Sequence, residues 1–150
     1  MSVTAEKTIM ISGRWDYNLD KRVVAAANTI YPGHVVDFSS GEAILNATQA
    51  DTTPNRAVAV ENEMVGEDID TPYAAADTCY FAWPKRGAVS YMWLENGQNV
   101  ALDALLETGA TGSLQAVTTG VAIAQAMEAV NNSGGGSGPA SAARIKVRWL

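Results

Sequence analysis

The stretch TCYFAWPKRGAVSYMWL, residues 78–94, carries the clearest fold signal of this chain. Two runs rich in aromatic and β-branched residues, 78–83 and 88–94, flank a short segment that contains Pro84 and Gly87. Runs of this kind, bounded by turn-forming residues, are typical of β-strands. We therefore predict two strands here, joined by a hairpin turn.

Comparable runs recur at intervals of about 8 to 12 residues, a rhythm typical of β-sandwiches and barrels. Residues 100–108 combine Ala, Leu and Glu at a spacing compatible with a short helix that ends at Gly109. We predict a mostly β, sandwich or barrel-like single domain with at most one short helix. The further predicted strands are residues 8–12, 34–38, 43–46, 56–60, 113–118, 121–130 and 144–150.

Two stretches repeat the same order of a turn, a strand, a Gly-containing turn and a return strand. The first spans residues 32–43 and turns at Ser40-Gly41, and the second spans residues 96–114 and turns near Gly112. Glycine supplies the left-handed backbone that tight hairpins require. We interpret the two stretches as two hairpins within one barrel.

The ends of the chain differ from its middle in composition. Residues 1–28 lack a clear period and are expected to form an extended N-terminal arm, which leaves residues 29–150 as the β-rich domain. Residues 131–142 are rich in Gly and Ser and have too little apolar side-chain surface to offset the entropy of ordering. We therefore predict a flexible loop there, between two strands.

Composition excludes several classes of ligand. The formal net charge of -6 gives a field that repels phosphate backbones and anionic lipids, so neither nucleic acid nor a membrane is an expected partner. The single cysteine, Cys79, rules out an internal disulfide. The apolar run at residues 9–11 is too short for a signal peptide or a membrane span, which indicates a soluble protein made in a cytoplasm.

No pattern of catalytic residues stands out, so we predict that the protein is not an enzyme and needs no cofactor or metal. The sole histidine, His34, lies where a strand begins and is interpreted as a surface or turn residue. Cys79, in an apolar strand, is interpreted as a small core residue. The acidic residues of segment 61–70 match no calcium-binding loop and are interpreted as a solvated surface.

The arm contains apolar residues that alternate with polar ones. Such a segment can add a strand to a partner, since its main chain forms hydrogen bonds while alternate side chains enter pockets. We predict that this segment binds a partner through Ile9, Ile11, Trp15 and Tyr17.

The last strand alternates apolar and basic residues. One face carries Arg144, Lys146 and Arg148, which we predict to contact an acidic partner. The alternative interpretation is that these residues only keep an edge strand soluble. A similar choice stays open for Trp83, Tyr91 and Trp93, which are either core residues or interface anchors.

The order of several segments along the chain carries a resemblance to a known family. These segments are residues 25–27, 32–36, 57–60, 66–77, 97–100, 112–114, 122–124 and 143–148. Their order resembles that of the capsid decoration, or cement, proteins of bacteriophages, a group of small β-rich proteins that bind assembled heads.

The resemblance implies a structural virion protein, made in the host cytoplasm and located on the outer surface of the capsid. Such a protein binds the major capsid protein, assembles with itself, most often as a homotrimer, and stabilises the shell. The family has no catalytic residues. Two other readings stay open: a carbohydrate- or surface-binding β module, and a small hydrolase or a carrier domain modified at Lys85.

Overall fold

The computed structural model describes residues 7–12, 18–133 and 143–150, and it confirms the predicted mostly β fold. In these ranges the helical element is a single 3-10 turn, Glu63–Val65. The strands are β1 (Asn18–Val23), β2 (Val35–Ser39), β3 (Glu42–Leu45), β4 (Ala57–Ala59), β5 (Thr78–Trp83), β6 (Val89–Leu94), β7 (Asn99–Val100), β8 (Leu105–Thr108), β9 (Leu114–Ala116), β10 (Ala124–Ala126), β11 (Val130–Asn131) and β12 (Ala143–Trp149).

The strands form a five-stranded sheet, a closed barrel and a two-stranded ribbon. The sheet has the order β1-β5-β4-β2-β3, the barrel closes in the order β10-β12-β6-β9-β8, and the ribbon pairs β11 with β7. Pairing within the three sheets is antiparallel, except where β6 meets β9 in parallel at Leu94 and Leu114. The predicted barrel is therefore present, and a separate sheet packs against it.

The predicted hairpin between β5 and β6 is wrong, although both strands exist. β5 pairs with β1 and β4 in the five-stranded sheet, whereas β6 pairs with β12 and β9 in the barrel. Both edges of β5 are thus already occupied. The turn at residues 84–88 instead leads the chain from the sheet to the barrel, and the Gly87 N–H donates to the Trp149 carbonyl at 2.8 Å.

Of the two other predicted hairpins, the first forms, in the five-stranded sheet rather than in the barrel, whereas the second is wrong, because its predicted first strand pairs as β7 with β11 and the return strand β9 pairs with β8 instead. β2 and β3 pair in the five-stranded sheet through Ser40 and Gly41, whose φ angles of 51° and 84° are those of a tight type I′ turn. β8 and β9 pair in the barrel. Segment 100–108, predicted as a helix, ends in strand β8, because pairing with β9 and β10 on both sides overrides a weak local preference.

Two hydrophobic cores share the five-stranded sheet. Alternate residues of a strand face opposite sides, and in β4 both sides are covered, so Ala57, Val58 and Ala59 are all buried. Val58 packs with the barrel core, whereas Ala57 and Ala59 pack with Phe81 in a second core.

Gly33 joins the sheet to the barrel at a place where a side chain does not fit. Its N–H donates to the Ala59 carbonyl at 2.8 Å, and its carbonyl accepts from the Trp93 N–H at 3.2 Å. Its φ is +96°, and a Cβ added there would lie 2.9 Å from the carbonyl oxygen of Tyr91. This position therefore requires glycine on both conformational and steric grounds.

The described parts of residues 1–28 pair with the chain's own sheets. Strand β1 runs antiparallel to β5, with Asn18 opposite Trp83 and Val23 opposite Thr78. Met10 bridges Ser90 on β6. The predicted flexible loop at residues 131–142 falls mainly on positions 134–142, which lie outside the described residues.

None of the described helical segments is long and apolar enough to span a bilayer.

Candidate interaction surfaces

Arg144, predicted to bind a partner, has its binding partners within the chain. It lies opposite Trp93 in the β12–β6 pair, with its guanidinium carbon 4.1 Å from the centre of the Trp93 ring. It forms a 2.8 Å ion pair with Asp70, and its side chain is only 7% exposed. It also donates to the carbonyls of Pro32 and Ile69. This arginine thus holds together segments far apart in the sequence.

The contacts around Arg144 also bear on the open choice for the aromatic residues. Trp93 is 8% exposed and donates from Nε1 to the Pro32 carbonyl at 2.9 Å. Trp83 is half-buried, with its ring 5.6 Å from that of Phe38. Both tryptophans therefore pack within the chain, which favours the core interpretation over the anchor interpretation.

His34 is buried rather than exposed, contrary to the prediction of a surface or turn histidine. The backbone N–H of Tyr31 donates to its Nδ1 at 3.1 Å. Burial, and then the positive charge of Arg144, lower the pKa of His34 to about 3. The ring is therefore neutral at physiological pH and acts as a structural acceptor.

Cys79 is a buried core residue, as predicted. It lies in the second hydrophobic core, and burial raises the pKa of its thiol to about 12. A thiol that stays protonated and inaccessible is a poor nucleophile. Cys79 therefore acts as a small apolar side chain in the folded protein.

The acidic segment 61–70 divides into internal and exposed residues. Glu61 is buried and accepts a hydrogen bond from the Ile9 N–H at 3.1 Å, and Asp70 pairs with Arg144. Glu63, Glu67, Asp68 and Asp70 are exposed, so Glu61 is the internal residue. Across the described residues, no group of three or more His, Cys, Asp or Glu side chains is arranged to hold a metal ion.

Glu107 is a buried carboxylate that the sequence did not single out. It accepts hydrogen bonds from the side chains of Gln115 and Thr118, at 2.7 Å each, and from the N–H groups of Thr118 and Gly120 at 3.0 and 2.7 Å. Burial raises the pKa of Glu107, but these four hydrogen bonds outweigh it and lower the pKa below its ordinary value. No usable sequence signal marked this site, because residues 100–108 were predicted as a short helix and Glu107 was one of its compatible residues.

The apolar residues predicted to bind a partner through the arm are partly internal. Ile9 is fully buried and belongs to the barrel core. Ile11 is half-buried, and its N–H donates to the Val89 carbonyl at 2.9 Å. Trp15 and Tyr17 lie outside the described residues.

An exposed apolar surface, which we call the barrel patch, lies on the outside of β8, β9 and β10. It comprises Leu105, Val117 and Met127, which are 48%, 37% and 37% exposed. Leu106, which faces the barrel interior, pairs with Ala116, so the neighbouring residues Leu105 and Val117 face outward. The Val117 N–H donates to the Leu105 carbonyl, which places these two residues side by side. Leu105 also pairs with Gln125, two positions before Met127.

The predicted basic residues Lys146 and Arg148 border the barrel patch. Arg148 is exposed and pairs with Gln125 on the outward face of the barrel. The Lys146 carbonyl accepts from the Met127 N–H at 2.8 Å, which places β12 beside the patch. The Lys146 N–H donates to the Glu128 carboxylate at 2.9 Å, so the apolar patch adjoins the basic Arg148 and an acidic group on one surface.

A second exposed apolar feature is the 3-10 turn and its flank, residues 63–68, which we call the acidic knob. Met64 and Val65 are 79% and 68% exposed, the highest values among the large apolar side chains described. The N–H groups of Val65 and Glu67 both donate to the Asn62 carbonyl, and Gly66 ends the turn in the left-handed conformation. The knob therefore presents two apolar side chains between acidic ones.

A scan against protein-family models and a search of curated proteins each gave no match. Among solved structures, the chain is similar to the N base of head fiber gp8.5 in bacteriophage phi29. The TM-score is 0.57 at 9% identity, and the match covers 89% of this chain and 94% of that chain. At this identity the likeness demonstrates a shared fold.

Proposed function

We propose that this protein is a structural virion protein without enzymatic activity. In this proposal it attaches to the outer surface of a bacteriophage head as an oligomer, a homotrimer, contacts the major capsid protein and stabilises the shell. The proposal combines the resemblance to decoration proteins with a fold shared with the base of a head fiber.

The extent of the structural likeness carries the proposal. The match covers 89% of this chain and 94% of that chain, which is nearly the full length of both. A module that forms the base of a head fiber needs a rigid body and adhesive surfaces, whereas a reactive centre is not required. The exposed apolar patch and knob described above are surfaces of the adhesive kind.

The titratable groups support a structural role over a hydrolytic one. His34 is enclosed and neutral, and the Cys79 thiol is buried and protonated. A nucleophile needs an activating base within hydrogen-bond reach, whereas the Nδ1 of His34 accepts from a backbone N–H.

The partner contacts, with the head or with another copy, are proposed at residues that the sequence predicted. Lys146 and Arg148, the basic residues of the last strand, are retained from the sequence-based prediction, together with Ile11, Trp15 and Tyr17. Ile9 and Arg144 would contribute indirectly, because they hold the fold together.

The proposal is tested with empty heads assembled from the major capsid protein encoded in the same genome. Purified protein is mixed with these heads and sedimented through a sucrose gradient. We expect saturable co-sedimentation at a fixed ratio to the capsid subunits, with competition by unlabelled protein and added density outside the shell in electron micrographs. Protein that stays at the top of the gradient, or binding that never saturates, would contradict the proposal.

A further inference from the structure

We propose that the acidic knob of one copy docks on the barrel patch of a neighbouring copy. The contact is head-to-tail, and its repetition closes a ring. This inference rests on the proposed oligomer and specifies which surfaces form it.

The apolar parts of the two surfaces match in kind. The knob offers Met64 and Val65, and the patch offers Leu105, Val117 and Met127, all of them exposed in the single chain. Contiguous exposed apolar side chains on a soluble protein mark interaction sites. Burying both sets against each other removes the two features from water in one step.

The charged parts of the two surfaces are complementary. The exposed Arg148 borders the patch, whereas the exposed Glu67 and Asp68 belong to the knob. With a net charge of -6, two copies repel each other in most orientations. Arg148 at the edge of the patch, opposite the acidic knob, favours one orientation and speeds the encounter of two copies.

The same charges oppose contacts between like surfaces. If two knobs met, Glu67 and Asp68 of one copy would approach the same acidic residues of the other copy. If two patches met, the Arg148 side chains of the two copies would approach each other. A two-fold contact through either surface is therefore unfavourable. Two different surfaces in contact generate either a ring or an open chain, and a ring leaves no surface unfilled.

The knob is ordered before it binds. Two hydrogen bonds to the Asn62 carbonyl and one from the Gly66 N–H to the Glu63 carbonyl fix its backbone. Little loop entropy is then lost on docking, and the flexible Met64 side chain can adapt to the patch.

Disulfide trapping between two single-cysteine variants tests the contact. Cys79 is buried and protonated, so cysteines introduced by Met64→Cys and Leu105→Cys are the reactive thiols. After brief oxidation, we expect a covalent dimer when the two variants are mixed, and at least about tenfold less when either is oxidised alone. Ala75→Cys, at an exposed site outside both surfaces, is the matched control.

The yield of the mixed dimer distinguishes a knob-to-patch contact from a two-fold contact and from no contact between copies. If the Met64→Cys and Leu105→Cys mixture gives no more dimer than Met64→Cys with Ala75→Cys, the inference is overturned. Dimers that form equally well within each variant alone would instead show a two-fold contact and also overturn it.

Charge reversal provides a second readout that does not depend on cysteine. Arg148→Glu is expected to weaken self-association roughly tenfold in sedimentation equilibrium, and added Glu67→Lys protein should restore mixed oligomers. Arg86→Glu, the same charge reversal at an exposed position outside both surfaces, is the matched control and should leave self-association unchanged. If Arg148→Glu associates as strongly as the unmodified chain, the inference fails.

These outcomes are separable from the proposed function. A chain that is monomeric at all concentrations yet saturates empty heads would overturn the ring and leave head binding intact. A trapped ring that does not bind heads would support the contact between copies and contradict the proposed head binding.

Discussion

The barrel and the five-stranded sheet differ in closure and in the side chains that fill them. Every barrel strand has a neighbour on both sides, and the interior holds large side chains, among them Leu106, Leu114, Ile145 and Trp149. The sheet ends in β1, whose residues are all exposed. The second core, on the far side of the sheet, contains small residues and aromatic rings.

This difference indicates that the barrel and the sheet contribute unequally to stability. A closed barrel has no strand edge to protect and buries most of the large aliphatic side chains, so it should carry the larger share of stability. The edge strand β1 buries little and should tolerate change. The predictions that follow test this contrast, from the largest expected effect to the smallest.

Trp149→Ala should destabilise the protein most, by about 3 to 5 kcal/mol. Trp149 is 1% exposed, and its Nε1 donates to the Ser90 hydroxyl at 2.7 Å, so its removal opens a cavity and leaves a buried hydroxyl without this donor. The free energy of unfolding is measured by urea denaturation. Leu19→Ala, in β1 and 54% exposed, is the matched control and should change it by less than about 0.5 kcal/mol. Equal losses of unfolding free energy in the two variants would contradict the larger contribution of the barrel to stability.

Acidification should act through His34, which lies where the sheet meets the barrel. Its folded pKa of about 3 is below the unfolded value of 6.5, so the unfolded state takes up the proton first. The stability linked to a neutral His34 is therefore fully present above pH 6.5 and is lost as pH falls towards 3. We expect a slope of about 1.4 kcal/mol per pH unit between pH 6 and 4. A His34→Gln variant that keeps this slope would show that another group causes it.

Glu107→Gln should destabilise the protein by about 2 to 3 kcal/mol, because an amide nitrogen replaces one acceptor oxygen of a buried side chain and faces donors instead of accepting from them. The contribution of Glu107 to the free energy of unfolding is fully present at pH values above the pKa of Glu107 in the unfolded chain. It is lost as the pH falls through the lower pKa of Glu107 in the folded protein. The gap between the original protein and the variant, measured in urea at several pH values, should therefore narrow in acid. Glu42→Gln, exposed on β3, is the control and should show no such gap.

Ala59→Leu should destabilise by about 1 to 2 kcal/mol, because the second core is filled and has no room for three further carbons. Ala59 is fully buried in β4, in the same core as Phe81. Thermal unfolding measures the effect, and Ala75→Leu at an exposed site is the control. A stabilised variant would mean that the second core is underpacked.

Arg22→Ala should have the smallest effect, about 0.5 to 1 kcal/mol. Its guanidinium carbon lies 5.0 Å from the centre of the Phe38 ring, and it donates to the Gly41 carbonyl at 3.2 Å, so it ties β1 to the β2–β3 hairpin. Hydrogen exchange should show faster opening of β1 in the variant than in a Lys21→Ala control. Unchanged exchange would mean that β1 is held by its pairing with β5 alone.

The sequence predicted part of the candidate surfaces. The basic residues Lys146 and Arg148 were placed together by strand alternation, which is a local property. The barrel patch was missed because Leu105 was assigned to a helix. Met64 and Val65 stood among acidic residues, and their exposure depends on a turn that packs neither side chain.

What the sequence determined by itself was the strand content and the tight turn at Ser40-Gly41, because side-chain alternation and backbone conformation act between near neighbours. Tertiary structure decided which strands pair and which charged groups are buried. Arg144 meets Asp70 across 74 positions, and the Ile9 N–H meets Glu61 across 52. Contacts between residues so far apart in the chain are set by how the sheet and the barrel pack, and local pattern does not encode them.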